Sequence, residues 1–168
     1  CRLNLPIASW VTGYKTDSMK TSTANVKRIA LVAHDNKKAD LVEWAYYNRG
    51  ILSKHKLVAT GTTGNLLEEK LGTPIKKLLS GPLGGDQQLG ALIAEHKLDI
   101  IIFFWDPLEA QPHDSDVKAL LRIAVTWNIV IACNRTTADF VLTSTLLNED
   151  YERVVPDFTS YMNRLITK

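Results

Sequence analysis

The segment Ser80-Gly-Pro-Leu-Gly-Gly-Asp86-Gln-Gln places a carboxylate directly after two glycines. A Gly-Gly step lets the backbone take a path that other residues avoid and come close to a ligand. A carboxylate held there is suited to take a proton from a bound substrate, as a general base. Viewed alone, an aspartate in this position is more typical of a helix N-cap, so the motif leaves both interpretations open.

A second group of titratable side chains consists of His113, Asp114 and Asp116. An imidazole can polarise a carbonyl oxygen, and a neighbouring carboxylate can set its tautomer. We interpret Asp114 as a helix cap, and His113 with Asp116 as the chemical pair. No second histidine or cysteine has the spacing of a metal ligand, so no metal site is predicted.

Two further segments have the chemistry of an anion site. The loop Thr60-Gly-Thr-Thr-Gly64 offers hydroxyls and backbone N–H groups where a helix is predicted to begin, although ordinary N-capping by Thr62 or Thr63 explains it equally well. Lys38 follows His34 by four residues and could neutralise a phosphate, but a solvated lysine is the simpler interpretation. Neither a P-loop nor a Gly-x-Gly-x-x-Gly motif is present, which disfavours a nucleotide ligand.

The elements that must position these side chains alternate along the chain. Short Val/Ile/Leu-rich runs predict strands over residues 28–33, 56–59, 75–79, 99–104 and 129–133. Segments of helical period predict helices over 39–54, 63–71, 86–96, 116–127 and 136–147, with one more near the C-terminus. This alternation predicts a single three-layer α/β/α domain of Rossmann-like type over residues 26–168, with a five-stranded, mostly parallel sheet. Residues 1–25 are predicted to be an irregular N-terminal extension.

Polar loops follow every predicted strand, whereas the connections at the opposite edge resemble solvated turns. Because ligands of open α/β sheets bind beyond the carboxyl ends of the strands, we expect one site that combines all the loops named above.

Composition excludes several other classes of function. The net charge is +2 without a dense basic block, so no nucleic-acid partner is expected. No apolar run approaches the roughly 18 residues of a membrane span, and residues 1–25 lack the apolar core of a signal peptide. With two cysteines far apart in sequence, we predict free thiols and a cytoplasmic protein, although one disulfide is conceivable.

Several blocks together resemble the methylglyoxal synthase family. They are Ile29-Ala-Leu-Val-Ala-His34-Asp35, Ala59-Thr-Gly-Thr-Thr-Gly64, Leu79-Ser-Gly-Pro-Leu-Gly-Gly-Asp-Gln-Gln-Leu-Gly-Ala-Leu-Ile93, Ile102-Phe-Phe-Trp-Asp-Pro-Leu108 and Pro112-His-Asp-Ser-Asp-Val-Lys-Ala-Leu-Leu-Arg122. The resemblance extends over about residues 27–165. It implies conversion of dihydroxyacetone phosphate to methylglyoxal and inorganic phosphate, without metal or organic cofactor.

The resemblance also implies roles for individual residues. Asp86 would be the acid/base, with Asp35 and Asp116 as further active-site carboxylates. Arg164 resembles a C-terminal arginine that reaches the phosphate. The other implied substrate contacts are His34, Lys38, Thr60, Gly61, Thr62, Thr63, Ser80, Gly81 and His113. A homohexamer inhibited by phosphate is implied as well. Two alternatives to the lyase stay open at this point: a regulatory module that binds a small molecule without chemistry, and a phosphate-binding isomerase.

Overall fold

The computed structural model describes residues 19–110, 113–159 and 163. Its central sheet has five parallel strands in the order β4-β3-β2-β5-β6. The strands are β2 (Arg28–Ala33), β3 (Lys56–Thr60), β4 (Ile75–Leu78), β5 (Ile100–Phe104) and β6 (Val130–Ala132). The predicted α/β fold with a five-stranded parallel sheet is therefore confirmed.

Six helices lie in the described part of the chain. They are α1 (Lys38–Tyr47), α2 (Arg49–Leu52), α3 (Gly61–Leu71), α4 (Gly85–Ala94), α5 (Asp114–Thr126) and α6 (Arg135–Thr143). Three short 3₁₀ turns accompany them at Asp35–Lys37, Gly81–Leu83 and Thr145–Asn148. No helix in the described ranges combines the length and the apolar character needed to cross a membrane.

The helices cover both faces of the sheet, and this explains the unbroken apolar runs of the strands. In β2, Ile29 and Leu31 contribute to a core cluster that includes Leu41 and Trp44 of α1. Ala30 and Val32 point to the other face, into a cluster that includes Leu89 of α4. Because successive side chains of a strand point to opposite faces, a strand buried on both faces is apolar at every position.

A second sheet was not predicted. Strands β1 (Met19–Thr23) and β7 (Tyr151–Val155) pair as an antiparallel ribbon. The prediction of an irregular segment over residues 1–25 is therefore wrong for Met19–Thr23. These five residues are largely polar, and their pairing partner lies more than 120 residues away, so no local pattern indicates the strand.

Two predicted helices are shorter than their apolar period indicates. The helix over 39–54 divides at Asn48 into α1 and α2. The helix over 136–147 ends at Thr143, because Ser144 takes an extended conformation. The Ser144 side chain then accepts a hydrogen bond from the Leu146 N–H and begins a 3₁₀ turn instead. The predicted helix near the C-terminus lies mostly outside the described residues.

Candidate active site

A cavity of about 290 Å³ opens at the carboxyl ends of strands β2, β3 and β5. The helix that follows β2, α1, packs on one face of the sheet, and the helix that follows the neighbouring β5, α5, packs on the other. The gap between two such strands is the usual position of a ligand site in an open α/β fold. The cavity is lined by Val32, Ala33, His34, Asp35, Lys38, Thr60, Gly61, Thr62, Thr63, Ser80, Gly81, Pro82, Asp86, Phe103 and His113. The loops expected to share one site therefore meet at one edge of the sheet.

Asp86 and His113 form a buried pair in this cavity. Asp86 lies in the first turn of α4, and His113 immediately precedes α5. The distance between Asp86 Oδ2 and His113 Nδ1 is 2.8 Å. Among the described residues, neither Asp86 Oδ1 nor His113 Nε2 has a hydrogen-bond partner. The pair can therefore share a proton internally while presenting one oxygen and one nitrogen to a ligand.

The glycines around Asp86 allow this close packing. Gly84 has a φ of +104°, so the chain enters α4 through a conformation that side chains disfavour. At Gly81, an added Cβ would lie 2.6 Å from His113 Cε1 and 3.1 Å from Asp86 Oδ2. The special backbone path expected from the Gly-Gly step is present at Gly84. Gly81 has no side chain, and this leaves room for Asp86 and His113 to lie against each other.

His34 presents a hydrogen-bond donor to the same cavity. Its Nδ1 accepts a hydrogen bond of 3.3 Å from the backbone N–H of Asp106. An imidazole that accepts at Nδ1 carries its proton on Nε2. His34 Nε2 is buried, and no described residue accepts from it. A buried donor without an acceptor costs free energy, so a ligand oxygen placed there would be stabilised.

The threonine loop forms an uncapped helix N-terminus. Thr60 is the N-cap residue of α3, and its side chain makes no capping hydrogen bond. The N–H of Gly61 donates to the Leu79 carbonyl, whereas helix geometry gives the N–H groups of Thr62 and Thr63 no acceptor. The hydroxyl of Thr63 is also buried without a partner among the described residues. Because the N-capping expected as an alternative is absent, the loop has the character of an anion site.

Lys38 connects the first loop to the threonine loop. Its Nζ lies 2.6 Å from Asp35 Oδ1 and 2.9 Å from Thr62 Oγ1. The interpretation of Lys38 as a solvated side chain is therefore wrong, since only 27% of the side chain is exposed. The ammonium group contributes a positive charge beside the N-terminus of α3.

Asp35 is the acidic partner of this lysine at the mouth of the cavity. Its side chain is 83% exposed. The hydrogen bond from Lys38, and then its charge, lower the pKa of the Asp35 carboxyl below its usual value. Asp35 is therefore suited to orienting Lys38, and poorly suited to acting as a base in the cavity.

Asp116 lies beside the cavity rather than in it. It occupies the first turn of α5, and with Asp86 it lines a separate hollow between α4 and α5. Its backbone N–H donates to the His113 carbonyl, but its carboxylate does not contact the imidazole. The carboxylate that sets the tautomer of His113 is Asp86, contrary to the role expected for Asp116.

Three predicted site residues remain to be placed. Ser80 and Gly81 line the cavity as expected, and Arg164 lies outside the described residues. Within residues 19–110 and 113–159, no three His, Cys, Asp or Glu side chains are grouped to hold a metal ion.

Sequence reasoning missed Asp106, whose backbone N–H orients His34. The available signal was its position two residues after the end of β5.

Comparisons with known proteins agree with this geometry. Residues 40–133 match the family model of the MGS-like domain. A methylglyoxal synthase of Coxiella burnetii is 57% identical over 141 residues, which cover 84% of this chain and 99% of the relative. The methylglyoxal synthase of Pseudoalteromonas atlantica is 60% identical and covers 79% of this chain and 98% of the relative. The crystal structure of methylglyoxal synthase from Elizabethkingia anophelis superposes with a TM-score of 0.82 at 55% identity, over 87% of this chain and 96% of that chain.

Proposed function

Since this chain belongs to the methylglyoxal synthase family, we propose that it converts dihydroxyacetone phosphate to methylglyoxal and inorganic phosphate through an enediolate. One observation carries the proposal. A buried Asp86–His113 pair shares a cavity of about 290 Å³ with the uncapped N-terminus of α3 and the Lys38 ammonium. One small molecule in this cavity could therefore exchange a proton with the Asp86–His113 pair while its phosphate group contacts Lys38 and the N-terminus of α3.

The reaction begins with removal of a proton from the hydroxymethyl carbon. The free Oδ1 of Asp86 takes this proton, and the electrons of the C–H bond form the enediolate with the neighbouring carbonyl. Negative charge then develops on the former carbonyl oxygen. His34 Nε2–H supports that charge as a donor without another partner among the described residues, and His113, whose ring centroid lies 5.8 Å from that of His34, assists it. Fixed donors in a buried site stabilise such charge far more than they would in water.

Phosphate leaves in the second stage. The hydroxymethyl oxygen passes its proton to the departing phosphate and forms a carbonyl, which becomes the aldehyde of the product. The carbon–carbon double bond moves to the carbon that carries phosphate, and the C–O bond breaks with its electron pair on phosphate. The resulting enolate takes back, at that carbon, the proton that Asp86 removed, so the carbon becomes the methyl group and the enolate oxygen becomes the ketone. Lys38 and the N–H groups of Thr62 and Thr63 stabilise the departing phosphate.

Four further proposals rest on the family resemblance. Arg164 binds the phosphate, and Asp116 supports the Asp86–His113 pair from the hollow behind it. The enzyme is a cytoplasmic homohexamer, and inorganic phosphate inhibits it. Inhibition has chemical support in the site, because free phosphate shares its charge and oxygens with the substrate's phosphate. Light scattering tests the hexamer, and inhibition by added phosphate tests the regulation.

The decisive assay incubates the protein with dihydroxyacetone phosphate and measures methylglyoxal, inorganic phosphate and glyceraldehyde 3-phosphate together. We expect equal amounts of methylglyoxal and phosphate at a rate proportional to enzyme. An isomerase would begin with the same proton transfer but form glyceraldehyde 3-phosphate without releasing phosphate. A binding module would form none of the three. Either result would contradict the proposal.

A further inference from the structure

A second cavity, of about 320 Å³, lies at the amino end of the central sheet, opposite the candidate active site. Its walls include Ile100 and Val130, which begin strands β5 and β6. The other wall is the inner face of the β1–β7 ribbon, including Thr23 and Arg153. None of these residues takes part in the reaction described above.

Arg153 is the unusual member of this cavity. The residue is only 3% exposed, and none of Nε, Nη1 and Nη2 has a hydrogen-bond partner among the described residues. Burial lowers the pKa of its guanidinium, but arginine remains charged at any physiological pH. The charge of Asp99 acts against this lowering of the Arg153 pKa, but burial outweighs it. A buried guanidinium without hydrogen-bond partners destabilises the fold, so an anion bound to Arg153 would stabilise it.

The neighbouring charged groups do not supply the missing hydrogen-bond partners of Arg153. Asp99 is committed to Arg28, whose Nη2 lies 2.7 Å from Oδ1 and whose Nε lies 2.9 Å from Oδ2. Lys27 Nζ already donates to the carbonyls of Ala24 at 2.7 Å and Glu149 at 2.6 Å, with longer contacts to the carbonyl and hydroxyl of Thr23. Among the described residues that line the cavity, Arg153 is thus the cation with unused donors.

We propose that this cavity binds a small organic monocarboxylate, whose two oxygens pair with Arg153. The planar guanidinium matches a carboxylate through two parallel hydrogen bonds. One unpaired cation requires one negative charge. The rest of the wall is mainly aliphatic, with Ile100, Ile129, Val141, Leu146 and Leu147, and it suits a short hydrocarbon tail. A phosphate dianion would bring two negative charges to one cation and would lose more hydration than a carboxylate does.

A small ligand fits Arg153 better than a second protein chain does. Arg153 lines the cavity but is only 3% exposed, so only a group small enough to enter the cavity can approach its guanidinium. The Arg153 side chain must turn into the cavity to pair with that group, because its three nitrogens have almost no accessible surface in this structure. A molecule of four or five heavy atoms fits within a cavity of about 320 Å³.

The test titrates butyrate into the full-length protein and measures the heat of binding, with 1-butanol as an uncharged analogue of similar size. Arg153→Met removes the guanidinium while keeping an apolar side chain. Arg135→Met is the matched control, because Arg135 is half-exposed on α6, away from the cavity. We expect saturable butyrate binding to the wild type and to Arg135→Met, and no binding of 1-butanol. Arg153→Met should weaken butyrate binding roughly tenfold or more, since hydrogen bonds to a charged group are lost.

Two further arms separate other sources of binding. Lys38→Met alters the candidate active site and should leave the butyrate affinity unchanged. Inorganic phosphate is titrated into wild type and Arg153→Met, and its affinity should be the same in both. Unchanged butyrate binding in Arg153→Met would overturn the proposal. Phosphate binding that requires Arg153 would overturn the assignment to a carboxylate, and a changed oligomeric state in Arg153→Met without butyrate binding to wild type would indicate a protein partner instead.

A crystal structure keeps the proposal testable if Arg153→Met does not fold. The wild type is crystallised with 4-bromobutyrate, and the anomalous signal locates the bromine. A peak in the cavity, with the carboxylate on Arg153, would support the site. Absence of the peak at a concentration that saturates binding in solution would overturn it.

Discussion

The two imidazoles of the active site are held by opposite kinds of partner. His113 Nδ1 lies against the carboxylate of Asp86, so in the ionised pair the nitrogen is the donor. His34 Nδ1 faces the backbone N–H of Asp106, so this nitrogen is the acceptor. His34 is therefore oriented with its Nε2 donor free for a ligand, whereas His113 and Asp86 can exchange a proton. The sequence indicated Asp86, His113 and His34 as site residues, but it did not indicate the different roles of the two Nδ1 atoms. The partner of His34 is a backbone N–H, which every residue except proline carries, so no sequence pattern points to it.

Lys38→Met removes one positive charge from the proposed phosphate site and tests how much that charge contributes to the reaction. We expect kcat/KM for dihydroxyacetone phosphate to fall roughly 10- to 100-fold, because the proposed role of Lys38 is to stabilise phosphate both when bound and when leaving. Lys37→Met is the control, since Lys37 is more exposed and pairs only loosely with Asp40 at 3.9 Å. Steady-state kinetics on both variants measure the effect. Equal losses in the two variants would mean that general surface charge, and not this contact, attracts the substrate.

Gly81→Ala tests the packing against the acid–imidazole pair. The added methyl group would lie 2.6 Å from His113 Cε1, so the ring must move away from Asp86 or from the substrate. We expect kcat to fall at least about tenfold, as for other losses of catalytic geometry. Gly50→Ala is the control, because an added Cβ there meets nothing within 4 Å and should leave kcat unchanged. If Gly81→Ala had normal kcat, the pair would not need its present geometry.

At the scale of elements, the parallel strands determine where the site forms. β2, β3 and β5 end beside one another, which brings His34, Thr60 and the loop before His113 to one edge. This convergence was predictable because strand ends could be read from apolar runs. The β1–β7 ribbon was not, because its pairing is long-range and its first strand is polar.

The amino ends of β2 and β5 are tied by a buried ion pair. Arg28 begins β2, and Asp99 immediately precedes β5. Burial acts to raise the pKa of the Asp99 carboxyl, but the hydrogen bonds from the side chain and backbone of Arg28, its charge, and the charge of Arg153 outweigh burial and hold the pKa below its usual value. A carboxyl with a depressed pKa stabilises the fold above about pH 4, and this contribution is lost as the pH falls through the folded pKa.

Asp99→Asn should therefore lower the free energy of unfolding at pH 7 by about 2 kcal/mol, since hydrogen bonds to a charged group are weakened, and reduce its dependence on pH below about pH 4. Urea denaturation at pH 7 and at several pH values from 5 to 3 measures both effects. Arg28→Met should produce the same reduced pH dependence, because it removes the group that depresses the pKa. If the free energy of unfolding of both variants fell between pH 5 and pH 3 as steeply as that of the wild type, the ion pair would not couple folding to pH.

For the whole molecule, the sheet separates two chemically different ends. The carboxyl end combines hydrogen-bond donors and the buried Asp86–His113 pair around a cavity of about 290 Å³, and the amino end has an arginine without hydrogen-bond partners among the described residues, in a partly aliphatic cavity. The layered fold and the first of these ends were predictable from the alternation of elements and from the polar loops. The second was not, since Arg153 is a lone arginine in sequence and becomes unusual only when β7 buries it.

The central claim is that Asp86 moves the proton that begins phosphate elimination. The most direct test compares Asp86→Asn with the wild type in phosphate release from dihydroxyacetone phosphate, with Asp40→Asn as a control at an exposed carboxylate of α1. We expect Asp86→Asn to lose 10²–10⁴-fold or more in kcat, while inorganic phosphate still binds it with near wild-type affinity and Asp40→Asn stays fully active. An Asp86→Asn variant that bound phosphate normally and kept most of its turnover would contradict the account.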